Sequence, residues 1–120
     1  MNVLIVEGDA ALSEVWKRHL ERQGARVSVS ASQDAAVEHL QLSSVNVIVL
    51  SLELNDGSAF AVADFASYRR PDAGVIFVTR STFFSDGSIF QLMPNTAAFI
   101  AARTPPEDLA AIVEHHGSAA

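Results

Sequence analysis

Ser51 is the residue of this sequence best placed to do chemistry. It closes the apolar run in Val-Asn-Val-Ile-Val-Leu-Ser-Leu-Glu-Leu-Asn-Asp-Gly, residues 45–57. A serine there is a candidate nucleophile, but its hydroxyl needs an activating base, and nothing nearby in the sequence looks like one. His19 and His39 fall within the first and second predicted helices, at no spacing that predicts a Ser–His pair. His19 lies on an apolar helix face and reads as a half-buried packing residue. His115 and His116 stand near the end of the last predicted helix, where protonated histidines interact favourably with the dipole. As a metal pair they are weak, because adjacent helix positions do not face the same way. Glu53 and Asp56, the acids nearest Ser51, read as solvated turn residues, since Asp-Gly is a turn signal in its own right. There is no cysteine, hence no disulfide framework, thiolate zinc site or cysteine nucleophile. A hydrolase reading has little support.

The elements that hold Ser51 are legible from the apolar pattern. The five apolar residues of 45–50, interrupted only by Asn46, read as a strand buried on both faces of a parallel sheet. Ligand and reaction sites in such sheets lie beyond the carboxyl ends of the central strands. Residues 3–6 form a second buried strand ending at Glu7-Gly8-Asp9. Asp9 is a good N-cap, and Leu12, Val15, Trp16, His19 and Leu20 follow at helical spacing until Gly24. Residues 26–30 alternate as a strand, and Ser32 can cap a helix carrying Ala36, Val37 and Leu40. Residues 59–68 predict a helix with Phe60, Phe65 and Tyr68, ended by Arg70-Pro71. Residues 74–78 are another buried strand, delivering Thr79 to its end. The least regular stretch, 80–95, predicts a short or distorted fourth helix around 89–93. Residues 97–101 are the fifth strand. Thr104-Pro105-Pro106-Glu107 reads as a capping box, worth about 1 kcal/mol for the cap, before a helix with a stripe of Leu109, Ile112, Val113 and His116.

Five strands alternating with five helices predict an α/β doubly wound sheet, flavodoxin-like, in the order 2-1-3-4-5. That order sets Glu7-Gly8-Asp9 beside Ser51. A chain of 120 residues, 49% hydrophobic, suits a single domain over residues 1–116 with a frayed tail at 117–120. The net charge of -6, with eight scattered basic residues, argues against nucleic acid as a partner. No apolar run approaches the ~20 residues that span a bilayer. The start at Met1 lacks a basic n-region and reads as a strand rather than a signal peptide, so the expected location is the cytoplasm.

In this order the motifs resemble those of a two-component response-regulator receiver domain. The strand ending at Glu7, with an acid and a helix after it, is similar to the family's opening. Leu54-Asn55-Asp56-Gly57 resembles its leucine-proline-aspartate-glycine loop, with asparagine in the proline position. Val78-Thr79 matches its switch threonine, Phe99-Ile100 its aromatic position on the fifth strand, and Pro106-Glu107-Asp108-Leu109 the start of its last helix. The likeness covers essentially the whole chain.

In the family an aspartate on the third strand accepts a phosphoryl group, two acids after the first strand hold Mg²⁺, and a lysine after the fifth strand pairs with the phosphate. Carried across, the acceptor position is Ser51, the first acid is Glu7, the second is Gly8, and the lysine position is Ala102, followed by Arg103. Two checks are independent of that alignment. The only lysine is Lys17, and no aspartate lies between Asp34 and Asp56. A seryl phosphate would also be a stable ester, unlike a labile acyl phosphate. No cofactor is therefore expected, with Mg²⁺ binding weak or absent. Arg80, after the switch position Thr79, is a candidate charge substitute whose guanidinium reaches for Glu7 or Asp9. The alternative is a solvent-facing loop arginine.

The resulting expectation is a non-enzymatic, phosphorylation-independent interaction module of a phosphorelay-type family. Its alternatives are a switch driven by Ser51 modification or a small ligand, and a working receiver with Glu53 or Asp56 as relocated acceptor. Phe83, Phe84, Ile89 and Phe90 form a candidate docking patch. The resemblance implies protein partners, a sensor kinase among them, and a homodimer through the fourth helix, fifth strand and last helix.

Overall fold

The computed structural model describes residues 1–80 and 95–117. The predicted fourth helix, the patch Phe83, Phe84, Ile89 and Phe90, and the tail beyond 117 lie outside the described residues. Within them the elements are β1 (Asn2–Val6), α1 (Ala10–Arg22), β2 (Arg26–Ser30), α2 (Gln33–Leu42), β3 (Val47–Ser51), α3 (Ala59–Arg69), β4 (Gly74–Thr79), β5 (Thr96–Ala101) and α4 (Pro106–Gly117). The strands form one parallel sheet in the order β2-β1-β3-β4-β5. The doubly wound flavodoxin-like order read from the sequence is the order observed. No helix among the described residues is long and apolar enough to cross a membrane.

Alternation along each central strand builds two cores, because successive side chains point to opposite faces. Ile48 and Leu50 of β3 join Leu4, Val6 and Phe77 beneath α2 and α3. Val47 and Val49 join Val3, Ile5, Ile76 and Val78 beneath α1 and α4, where Trp16, Leu20, Leu109 and Val113 close the layer. Both sheet faces are covered, which is why these strands are continuously apolar. Complete burial of a side chain such as Leu20 or Leu40 contributes about 1.5–3 kcal/mol.

Helix ends follow local chemistry. Asp9 Oδ1 accepts hydrogen bonds from Ala11 N and Leu12 N at 3.0 and 3.2 Å, and Ser32 Oγ accepts from Ala35 N at 3.2 Å. Gly24 takes φ +92° just past α1, a left-handed conformation that glycine adopts without a Cβ clash. Two expectations need correction. α4 begins at Pro106, with Pro105 O accepting from Asp108 N and Leu109 N, one residue later than a box of Thr104 and Glu107 requires. α3 buries a face of small residues, Ala59, Val62, Ala63 and Ala66, whereas Phe60 and Tyr68 point outward, Tyr68 being 80% exposed. Small side chains let α3 lie close to the sheet; the aromatic residues are rotated off that stripe by the 3.6-residue turn.

Candidate functional site

The register aligns the carboxyl ends of the inner strands. Val6 pairs with Leu50, Ser51 with Val78, and Thr79 with Ala101. Backbone bonds carry that alignment one residue further, from Leu52 N to Val78 O at 2.9 Å and from Ala102 N to Thr79 O at 2.7 Å. Glu7, Ser51 and Thr79 are therefore neighbours at one rim of the sheet, exposed by 3%, 2% and 3%.

Glu7 is an acid held deep in this rim. Its Oε2 accepts a hydrogen bond from Asp9 N at 3.1 Å, and its Oε1 lies 3.6 Å from Arg80 Nη2. The same Nη2 is 3.4 Å from Asp9 Oδ2. The guanidinium thus faces both acids at once, which a buried carboxylate needs if it is to remain charged. Gly8, between the two acids, has room for a side chain: a Cβ there would meet only Ala31 O and Asn55 Nδ2, each at 3.9 Å.

Glu53 takes a part that its turn setting concealed. Its Oε2 accepts from the Thr79 hydroxyl at 2.8 Å, and its Oε1 accepts from Arg80 N–H at 2.6 Å. The reading of Glu53 as a solvated turn residue is therefore wrong: the loop turns its carboxylate back over the end of β4. Glu53 lies in the turn just past the end of β3, where the sequence has no period to show which way its side chain points. Asp56 is exposed, as expected of a turn acid. The loop is fastened to α2 through Gln33, whose N–H donates to Asp56 O at 2.9 Å and whose Oε1 accepts from Ser58 N at 2.8 Å. Nothing in the sequence pattern pointed to Gln33.

The remaining candidates are more distant. Phe99 is half-buried on β5, opposite Phe77, on the α2–α3 side. Ala102 is half-buried just past β5 on the other side. His19 sits within α1, its Nδ1 3.0 Å from Val15 O. His39 lines a shallow pocket of about 190 Å³ with Asn2, Arg26 and Ser28, at the amino ends of the strands and so across the sheet from Ser51. Among the described residues no group of three or more histidine, aspartate or glutamate side chains converges as for a metal ion.

Solved structures similar to this chain include receiver domains. A CheY-like response regulator receiver domain protein from Methanospirillum hungatei shares 24% identity over 97% of this chain and 92% of that one, with TM-score 0.87. The non-phosphorylated HemR receiver domain from Leptospira biflexa shares 24% over 99% and 95%, with TM-score 0.88. The response regulator TrrA from Thermotoga maritima, in complex with Mg²⁺ and BeF, shares 16% over 95% and 96%, with TM-score 0.81. The chain has the receiver fold. No protein-family model matches it, and no curated protein matches it.

Proposed function

We propose that this chain is a receiver-fold signalling module that acts through protein contacts without being phosphorylated. The observation that carries this reading is the Arg80 guanidinium facing Glu7 and Asp9 at 3.6 and 3.4 Å. It supplies from within the chain a positive charge of the kind that Mg²⁺ and a lysine supply in a phosphorylated receiver. The donor set does not fit that metal. A hard divalent cation takes several oxygen ligands, and here Gly8 and Ser51 offer no carboxylate while Glu7 and Asp9 already face a cation. Ser51 offers an alcohol where an aspartate acceptor offers a carboxylate, so its phosphate would be a stable ester and not a labile acyl phosphate.

On this reading Ser51, Gly8 and Ala102 mark the lost acceptor, metal-holding acid and lysine, and Thr79 and Phe99 keep the switch positions. The burial of Ser51 at 2% exposure also disfavours its modification by a kinase, which needs the residue in reach. The partner is a protein, since the acidic charge of -6 suits neither phosphate backbone nor anionic lipid.

Incubating the protein with a small acyl phosphate and Mg²⁺, followed by intact-mass measurement, tests the reading. The mass should not change. An adduct of one phosphoryl group in appreciable yield, on Glu53, Asp56 or Ser51, would overturn it.

A further inference from the structure

Two donors converge at the end of β4, the Thr79 hydroxyl and the Arg80 backbone N–H, and both point at the Glu53 carboxylate. Thr79 is 3% exposed, so its hydroxyl gives up water to make this bond. Arg80 N donates to the Glu53 carboxylate at 2.6 Å, and a hydrogen bond to an ionised acceptor is about twice as strong as a neutral one. Arg80 thereby touches three acids, Glu53 through its backbone and Glu7 and Asp9 through its side chain. The contact continues to the next strand, because Thr79 O accepts from Ala102 N at 2.7 Å and Thr79 pairs with Ala101. The loop carrying Glu53 is itself held by Gln33, so the carboxylate is presented from a fixed frame.

We propose that Glu53 is a built-in anion: a positioning residue that occupies a two-donor oxyanion site at the end of β4 and thereby fixes Thr79 and the β4–β5 rim in one arrangement. This rests on the phosphorylation-independent reading and deepens it. A chain that takes no phosphoryl group carries its own anion to set the switch threonine. The rim around Thr79, Ala101 and Phe99 is then biased in the resting protein rather than awaiting a trigger, since an anion that is always present shifts the population toward the state it binds better.

The test is backbone and side-chain NMR of the full chain as wild type, Glu53→Gln and Glu53→Ala. The isosteric Glu53→Gln keeps the loop packing and removes the charge. It should move the Arg80 amide proton upfield, lower its hydrogen-exchange protection about tenfold, as loss of one charged hydrogen bond implies, and shift Thr79, Ala101, Ala102 and Phe99. In Glu53→Ala, added sodium acetate should return these resonances toward wild type in a saturable way, and sodium chloride at equal ionic strength should not. If Glu53→Gln moves only residues 52–58, Glu53 is a loop anchor and the inference fails. If Glu53→Ala does not fold, the Glu53→Gln spectra decide alone. The phosphodonor experiment on wild type stands apart: an adduct there overturns the proposed function, whereas an unshifted β4–β5 rim in unphosphorylated Glu53→Gln overturns only the inference.

Discussion

Arg80 Nη2 stands 3.6 Å from Glu7 Oε1, a half-exposed cation on a carboxylate whose side chain is 3% exposed. The asymmetry sets the energetics. Removing the cation leaves a buried charge with less compensation, which costs more than losing an exposed pair. The separation is long and one partner is wet, so Arg80→Ala should destabilise by about 1–2 kcal/mol, between the exposed and buried ranges. Urea unfolding measures this. Adding Glu7→Gln to Arg80→Ala should recover part of the loss; strictly additive effects would mean that Arg80 does not serve Glu7.

Ser51→Asp would put a carboxylate at a site 2% exposed, on the strand beside Glu7. Two acids that close and that dry repel and are poorly solvated, so the variant should lose about 2–4 kcal/mol. Gly8 has space for a side chain, and Ser51→Asp with Gly8→Asp would gather three carboxylates with Glu7. Millimolar Mg²⁺ should then raise the melting midpoint of the double variant, because a ligand of the native state alone stabilises it. The wild-type midpoint should stay put. Equal responses of the two proteins to Mg²⁺ would mean that carboxylates at positions 8 and 51 create no cation site beside Glu7.

Gly57 holds φ +104°, and a Cβ there would clash with Gln33 Cβ and come within 2.8 Å of Gln33 Oε1. Gly57→Ala should therefore cost about 2 kcal/mol or more, combining left-handed strain with displacement of the residue that fastens the loop. Gly24 has φ +92° but nothing within 4 Å, so Gly24→Ala should cost only about 1 kcal/mol, the strain alone. Thermal melts of the pair separate crowding from backbone strain. The Gly57 variant should also perturb the Arg80 amide, since the same loop carries Glu53.

On α3 the expected sensitivities are opposite to what side-chain size suggests. Tyr68 is 80% exposed, so Tyr68→Ser should change stability by no more than about 0.5 kcal/mol. Ala63 is fully buried against the sheet, and Ala63→Leu should cost about 1–3 kcal/mol by overpacking. Denaturation midpoints of the two variants check this directly. A large loss at Tyr68 with none at Ala63 would require a different face of α3 to be inward.

By itself the sequence determined the strands, their order and the rim where the site lies. Runs such as Val3–Val6 and Val47–Leu50 are apolar at every position because both sheet faces are covered, and helices between consecutive strands leave few parallel topologies. It also fixes the residue types at positions 51, 8 and 102 as serine, glycine and alanine, which need no coordinates. The reach of Arg80 toward Glu7 was one of two readings that the sequence left open, because β3 stands between β1 and β4 and a side chain has to span it. Only the tertiary structure decided what Glu53 and Gln33 do, and which face of α3 is inward. A loop has no period to read. Whether a carboxylate after a turn meets water or Thr79 depends on the path the chain takes between residues 52 and 58, and that path is fixed by contacts with α2, distant in sequence.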